Sequence, residues 1–249
     1  MSNESGRADR DASATTPTEG SSAPADASGD RQGTATGGPV KQERVAGAVR
    51  REQILAAASR VFGERGYVGA TTDQVAREAG ISQPYVVRMF GGKENLFVAV
   101  LDRALGKLMD AFNGALSDAK ARGENRDETM ARMGSAYADL IRDRGILLSL
   151  MQAFIAGHEP VIGARARDGF MQIYTLLRNE AGMEPDQIVD FLAHGMLFNV
   201  LIAMRMVDQH DSADPCIPEL LAHTFRTKLD IVVNTVTGSA DASHSRATA

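Results

Sequence analysis

An all-helical protein is predicted by the period of the apolar residues and by the scarcity of strand-like alternation. Ile54, Leu55, Ala58, Val61 and Phe62 recur on one face at helical spacing. The same repeat runs through Leu96, Phe97, Val100, Leu101, Ala104, Leu105, Leu108, Met109, Phe112 and Leu116. The chain of 249 residues has no Trp, and its 43% hydrophobic content suffices for a substantial core.

Residues 1–43 are dominated by Gly, Ala, Ser, Thr and Pro and cannot bury enough surface to offset their ordering entropy, so a disordered tail is expected there. Folded structure is expected from near Arg44, and Gly66 is positioned to end the first helix, with Tyr67 as a plug behind it. The net charge is −5, but it is unevenly spread. Between Arg44 and Lys93 eight Lys and Arg face four Asp and Glu, while the preceding segment carries −3 and the following one −6. A basic patch on an acidic body steers that patch alone toward phosphate.

The segment from Thr71 to Phe90 explains the patch. Thr71 and Gln74 have the spacing of a capping box, so a helix is expected from Thr72, with Val75, Ala76 and Ala79 as its apolar stripe and Gly80 as its left-handed stop. Ile81 then turns into the core. Ser82 is a second candidate N-cap, Pro84 is tolerated in a first helical turn, and Val86, Val87 and Phe90 are assigned to the buried face. Two helices this short are marginal alone. Their use lies in what they present, and the layout is the helix-turn-helix, whose second helix enters the DNA major groove by its N-terminal residues. Ser82, Gln83, Pro84, Tyr85 and Arg88 are the candidate contacts. Gly91-Gly92 then leads to Lys93, which opens a long helix joining this unit to the rest of the chain.

These residues resemble the N-terminal domain of the tetracycline-repressor (TetR) family of bacterial transcription regulators. The resemblance rests on Ile54-Leu55-Ala56-Ala57-Ala58, Phe62-Gly63-Glu64-Arg65-Gly66-Tyr67, Val75-Ala76-Arg77-Glu78-Ala79-Gly80-Ile81-Ser82 and Phe90-Gly91-Gly92-Lys93-Glu94-Asn95-Leu96-Phe97. It implies a homodimer gripping a palindromic double-stranded DNA operator, with Thr71, Thr72 and Lys93 at the backbone and the helix from Gln83 reading bases. Thr71 as a cap alone is a competing reading compatible with the first. The chain departs from the family at Val87, commonly aromatic, and at Tyr85, often small; Tyr85 is therefore expected to pack on a thymine methyl or a phosphate.

Beyond Gly123 only periodicity guides the reading, and helices are expected over 126–142, 146–156, 160–181, 185–209 and 217–236. The segment from Ile188 to Val207 is apolar on almost every face and the last helix carries one uninterrupted apolar stripe, so a second molecule is the economical cover. The resemblance implies dimerisation through those helices, and Phe191, Gly195, Phe198, Ile202, Leu221, Phe225, Leu229 and Val232 are assigned to the interface. Gly195 in mid-helix is explained by the close approach of another backbone. Met130, Met133, Met151, Phe154, Phe170, Met171 and Tyr174 fall on the middle helices. With Met109, Phe112, Tyr137 and His158 they are candidates to line an adaptable apolar cavity for a small effector, ordinary core being the alternative.

The five histidines are scattered, Cys216 is alone, and neither a phosphate-cradling loop nor paired metal-ligand spacing occurs, so neither catalysis, cofactor nor metal is expected. No membrane span and no secretory leader are read, and a reducing cytoplasm is the expected address. The predicted organisation is a tail over 1–43, a three-helix DNA-binding domain over 44–92, a larger helical effector-binding and dimerisation domain over 93–237, and a disordered tail over 238–249. The expected function is that of a ligand-responsive repressor. A DNA-binding regulator without a small ligand, or a helical interaction module, are the alternatives.

Overall fold

The computed structural model describes residues 39–236 other than Arg144, with side chains described from Ala46 onward. The expected tails lie outside these residues, apart from 39–43, which are helical rather than disordered. Among the described residues there is no strand.

Helix α1 spans Pro39–Gly69 and so begins before Arg44; it is broken at Gly66, whose φ of 69° and ψ of 171° no helix accommodates. Helix α2, Thr72–Ala79, carries the capping box in full: Thr71 Oγ1 accepts from the Gln74 amide at 3.2 Å, and Gln74 Oε1 accepts from the Thr71 amide at 3.0 Å. Gly80, at φ 66°, closes it. Helix α3, Gln83–Phe90, starts at Ser82, but the Ser82 side chain makes no capping bond, so the start is held by backbone geometry and Pro84. Ile54, Leu55, Ala58, Val61, Phe62, Val75, Val86 and Phe90 are buried between these helices. Val87 is not: at 39% exposed it leaves the face assigned to it.

Helix α4, Lys93–Arg122, runs as expected from the head into the body. It packs on α5 (Arg126–Asp139), α6 (Ile146–Ile155) and α7 (Pro160–Asn179). Phe97 meets Phe62 edge-on at 4.8 Å, so the core of the head continues along α4 into the body without a seam. Helix α8, Pro185–Ala203, packs on α5, α6, α7 and α9 (Cys216–Phe225).

The two long C-terminal helices expected from periodicity are each interrupted. The span 185–209 breaks at Arg205 (φ 55°) and 217–236 at Arg226 (φ 48°), with helix resuming over 229–236. Neither break carries a local sequence signal. At the second, tertiary contacts hold the turn: His194 Nε2 donates to the Thr224 carbonyl at 3.0 Å, and Lys228 is bonded to Asp139 at 2.7 Å. Helix α8 is also long and apolar enough to cross a membrane by length and composition, though Asp186, Asp190 and Asn199 interrupt its apolar residues. Its apolar residues lie on two faces, one turned to the interior at Phe198 and Ile202 and one exposed at Val189 and Met204.

Candidate nucleic-acid interface and effector cavity

The outward face of α3 consists of Gln83, Pro84, Val87 and Arg88, all exposed. Val86 and Phe90 hold the opposite face in the core. Gln83 Nε2 donates to Thr72 Oγ1 at 3.1 Å, which ties the first residue of α3 to the first of α2. Tyr85 is half-buried, and the Arg88 guanidinium lies 5.1 Å from its ring centre, so ring and cation constrain each other. Thr71 is exposed with its hydroxyl already engaged as a cap. Val87 is the surface residue that sequence reasoning missed. The signal was present, since Val86 and Phe90 already complete an i, i+4 buried pair and Val87 falls a further 100° round the helix.

Lys93 has a use inside the fold. Its ammonium donates to the carbonyls of Tyr67 at 3.0 Å and Val68 at 3.4 Å and sits 4.6 Å from the Tyr67 ring centre. It thus caps the broken end of α1, which accounts for a cation at a helix N-terminus where the dipole disfavours one. These two bonds engage two of the three N–H groups of the ammonium.

In the body, α4, α5, α6, α7, α8, the end of α9 and the turn after it line a partly open cavity of about 630 Å³. Phe112, Tyr137, Phe154 and Phe170 line it as expected, and Met130 joins them. The other candidates lie elsewhere. Met133 is fully buried core, and Met109 and Met171 face a separate groove between α4 and α7. Met151 and Tyr174 are half-buried and not part of the wall, and His158 points to solvent beside Glu159 at 3.8 Å.

The interface residues assigned from sequence belong largely to this cavity or to the protomer's own core. Phe191, Gly195, Phe198 and Phe225 line the cavity. Ile202, Leu221 and Val232 are buried, and Leu229 is half-buried. Gly195 is close to the Tyr137 ring, 3.7 Å from where a Cβ would sit, and not to a backbone. The apolar side of α8 that the protomer leaves bare is the opposite one, carrying Val189 (61% exposed), Ala193, Leu197 (38%) and Met204 (57%), with Val200 half-buried among them. Periodicity finds both stripes and cannot say which one the same chain covers.

The cavity and the head meet through α6. Leu150 and Phe154 are on the cavity wall, while Ser149 Oγ donates to the Ser59 carbonyl of α1 at 3.2 Å. Gly145, at φ 87°, abuts the same carbonyl: a Cβ there would stand 2.2 Å from the oxygen. Beside it Arg103, 7% exposed, bonds Glu52 of α1 at 2.8 Å and Asp143 at 2.6 Å, and Lys107 closes on Asp143 as well. Burial raises the Asp143 carboxyl pKa, but Arg103 and Lys107 overcome it and hold it below the usual range. Among the described residues no group of three His, Cys, Asp or Glu is placed to hold a metal ion.

A helix-turn-helix whose second helix exposes Gln83, Pro84, Val87 and Arg88, joined to a helical body, has the layout of a DNA-binding transcription regulator. Residues 54–100 match the model of bacterial regulatory proteins of the tetR family. The transcriptional activator FasR of Mycolicibacterium smegmatis is 30% identical over 154 residues, 59% of this chain and 68% of that protein. The regulator BetI of Rhizobium meliloti is 37% identical over 83 residues, 33% of this chain and 39% of its own length. A solved structure, the fatty acid degradation regulator FadR from Bacillus halodurans, covers 75% of this chain and 94% of its own at 17% identity and a TM-score of 0.46. The chain belongs to the tetR family of bacterial regulatory proteins, and it is a DNA-binding transcription regulator, not an enzyme.

Proposed function

We propose that the chain is a ligand-responsive repressor: a cytoplasmic homodimer whose head, residues 44–92, grips a palindromic operator, and whose body, residues 93–237, releases it when a small, largely apolar effector enters the cavity. Gln83, Pro84, Val87 and Arg88 read bases with Tyr85 beside them, and Thr71, Thr72, Ser82 and Lys93 serve the backbone. The bare stripe of α8 through Val189, Leu197 and Met204 is the dimer surface, in place of the inward residues first assigned.

The observation that carries this reading is the position of α6, one side on the cavity and the other on α1 of the head. A guest that displaces Leu150 and Phe154 moves the helix on which the head rests. Two recognition helices must meet major grooves ~34 Å apart, so a few Å at the head loses a half-site. To invert occupancy a ligand must favour the released state by ~5 kcal/mol.

The test uses a duplex selected from a randomised pool by the full-length protein, with anisotropy read against a panel of apolar compounds. Specific, salt-sensitive binding that a compound abolishes supports the reading; specific binding that no compound alters leaves a regulator without a small ligand. A second reading has support from one observation, that FasR is an activator. In vitro transcription from the selected site separates the two by sign.

A further inference from the structure

Asn199 is a polar residue where the fold calls for an apolar one. It stands in the run Met196-Leu197-Phe198-Asn199-Val200-Leu201-Ile202, is 3% exposed, and lines the cavity. Its Oδ1 accepts the Tyr137 hydroxyl at 2.9 Å. Burial, opposed by that same bond, pushes the Tyr137 phenol up to about 12, so it is a permanent donor and claims the carbonyl side of the amide. The donor side is thereby turned to the cavity, and among the described residues no acceptor meets Nδ2. The amide N–H is open to the cavity space, and so it is a donor offered to whatever occupies that space.

Its surroundings are aromatic. Tyr137 meets Phe198 edge-on at 5.8 Å, and Phe198 meets Phe225 at 4.6 Å. Of the ionic groups on the wall, the Lys228 ammonium is taken by Asp139 at 2.7 Å, and no charged group bonds to the Tyr137–Asn199 pair. Asp127, Asp190, Arg226 and the hydroxyl residues Ser135 and Thr227 also line the cavity, but at the Tyr137–Asn199 pair a guest meets aromatic rings and a neutral amide donor.

We propose that Asn199 is the polar anchor of the cavity, and that its Nδ2 donates to a carbonyl oxygen of a neutral effector with an aromatic body. This rests on reading the cavity as an effector site. The probes are fluorenone and fluorene, alike in shape and differing in the carbonyl, measured by equilibrium dialysis against the full-length protein and against the double variant Asn199→Leu, Tyr137→Phe, which orphans no partner.

The wild type should hold fluorenone about tenfold more tightly than fluorene, the factor that one net hydrogen bond supplies. The variant should bind the two alike. Equal affinity of the wild type for both overturns the anchor and leaves the cavity reading standing, as does a preference that survives in a folded variant. Binding of neither overturns the cavity reading and the anchor with it. Should the variant not fold, the wild-type comparison decides by itself.

Discussion

A methyl group on Gly145 should prise the DNA-reading head from the body. The residue sits at φ 87°, in the left-handed region, which costs an L-amino acid ~1–2 kcal/mol. The new Cβ would stand 2.2 Å from the Ser59 oxygen and 2.8 Å from the Arg60 nitrogen, both backbone atoms that cannot swing aside. Helix α6 must therefore draw back, at an overpacking cost of ~1–3 kcal/mol. The retreat also forfeits the bond from Ser149 to Ser59, ~1 kcal/mol. Gly145→Ala should lose about 3–6 kcal/mol in all, or ~6–24 °C of melting temperature at ~2–4 °C per kcal/mol for a chain of this size. Thermal unfolding followed by far-UV circular dichroism reads it. Gly106→Ala is the control. That glycine is exposed inside α4 with nothing within 4 Å of a Cβ, so alanine should stabilise by ~0.5–1 kcal/mol. A Gly145→Ala protein melting within about 2 °C of wild type would refute the reasoning, because the latch between α1 and α6 would then have slack.

Val87 should rest on a thymine methyl: replacing thymine by uracil at one position per half-site should cost the wild type ~0.8 kcal/mol, roughly fourfold, and cost Val87→Ala nothing at that position. A uracil scan without effect removes the contact. Leu197→Glu places a charge on the bare stripe of α8 and should weaken self-association by ~2 kcal/mol or more while the protomer stays folded, as sedimentation equilibrium would show. An unchanged association constant moves the dimer surface elsewhere. The Asp143 carboxyl is held below its unfolded value of ~3.9, so its contribution to stability is present above that pH and is lost as pH falls through the folded value. The melting-temperature gap between wild type and Asp143→Asn should accordingly be full at neutral pH and close below about pH 4; a gap independent of pH would mean that the loss is one of packing.

The head was legible because its instructions are local. A threonine cap answered by a glutamine, a glycine able to turn left and a proline in a first turn each act within a few residues, and α2 and α3 follow them closely. The exposed side of α3 was legible but for Val87, where hydrophobicity was taken for burial. The body was harder, since its decisive contacts are distant in the chain. The turn at Arg226 answers to His194 and Asp139, and no pattern inside the last helix announces them. Helix α8 shows the same limit in its faces. Its two apolar stripes are equally periodic, and only the packing of Tyr137, Phe198 and Phe225 shows which one the protomer keeps for itself. Lys93 was read as reaching outward because its partners, two carbonyls at the end of α1, come from a break in backbone geometry that a glycine permits but does not specify.

The unbroken apolar interior running from Ile54 to Val232 has a genetic consequence. A lesion anywhere along it lowers the population of competent molecules, so mutants that lose regulation should scatter throughout the chain instead of gathering at the groove-facing helix. Those rare alleles that keep a full complement of protein yet fail to regulate are the ones that mark the reading surface itself.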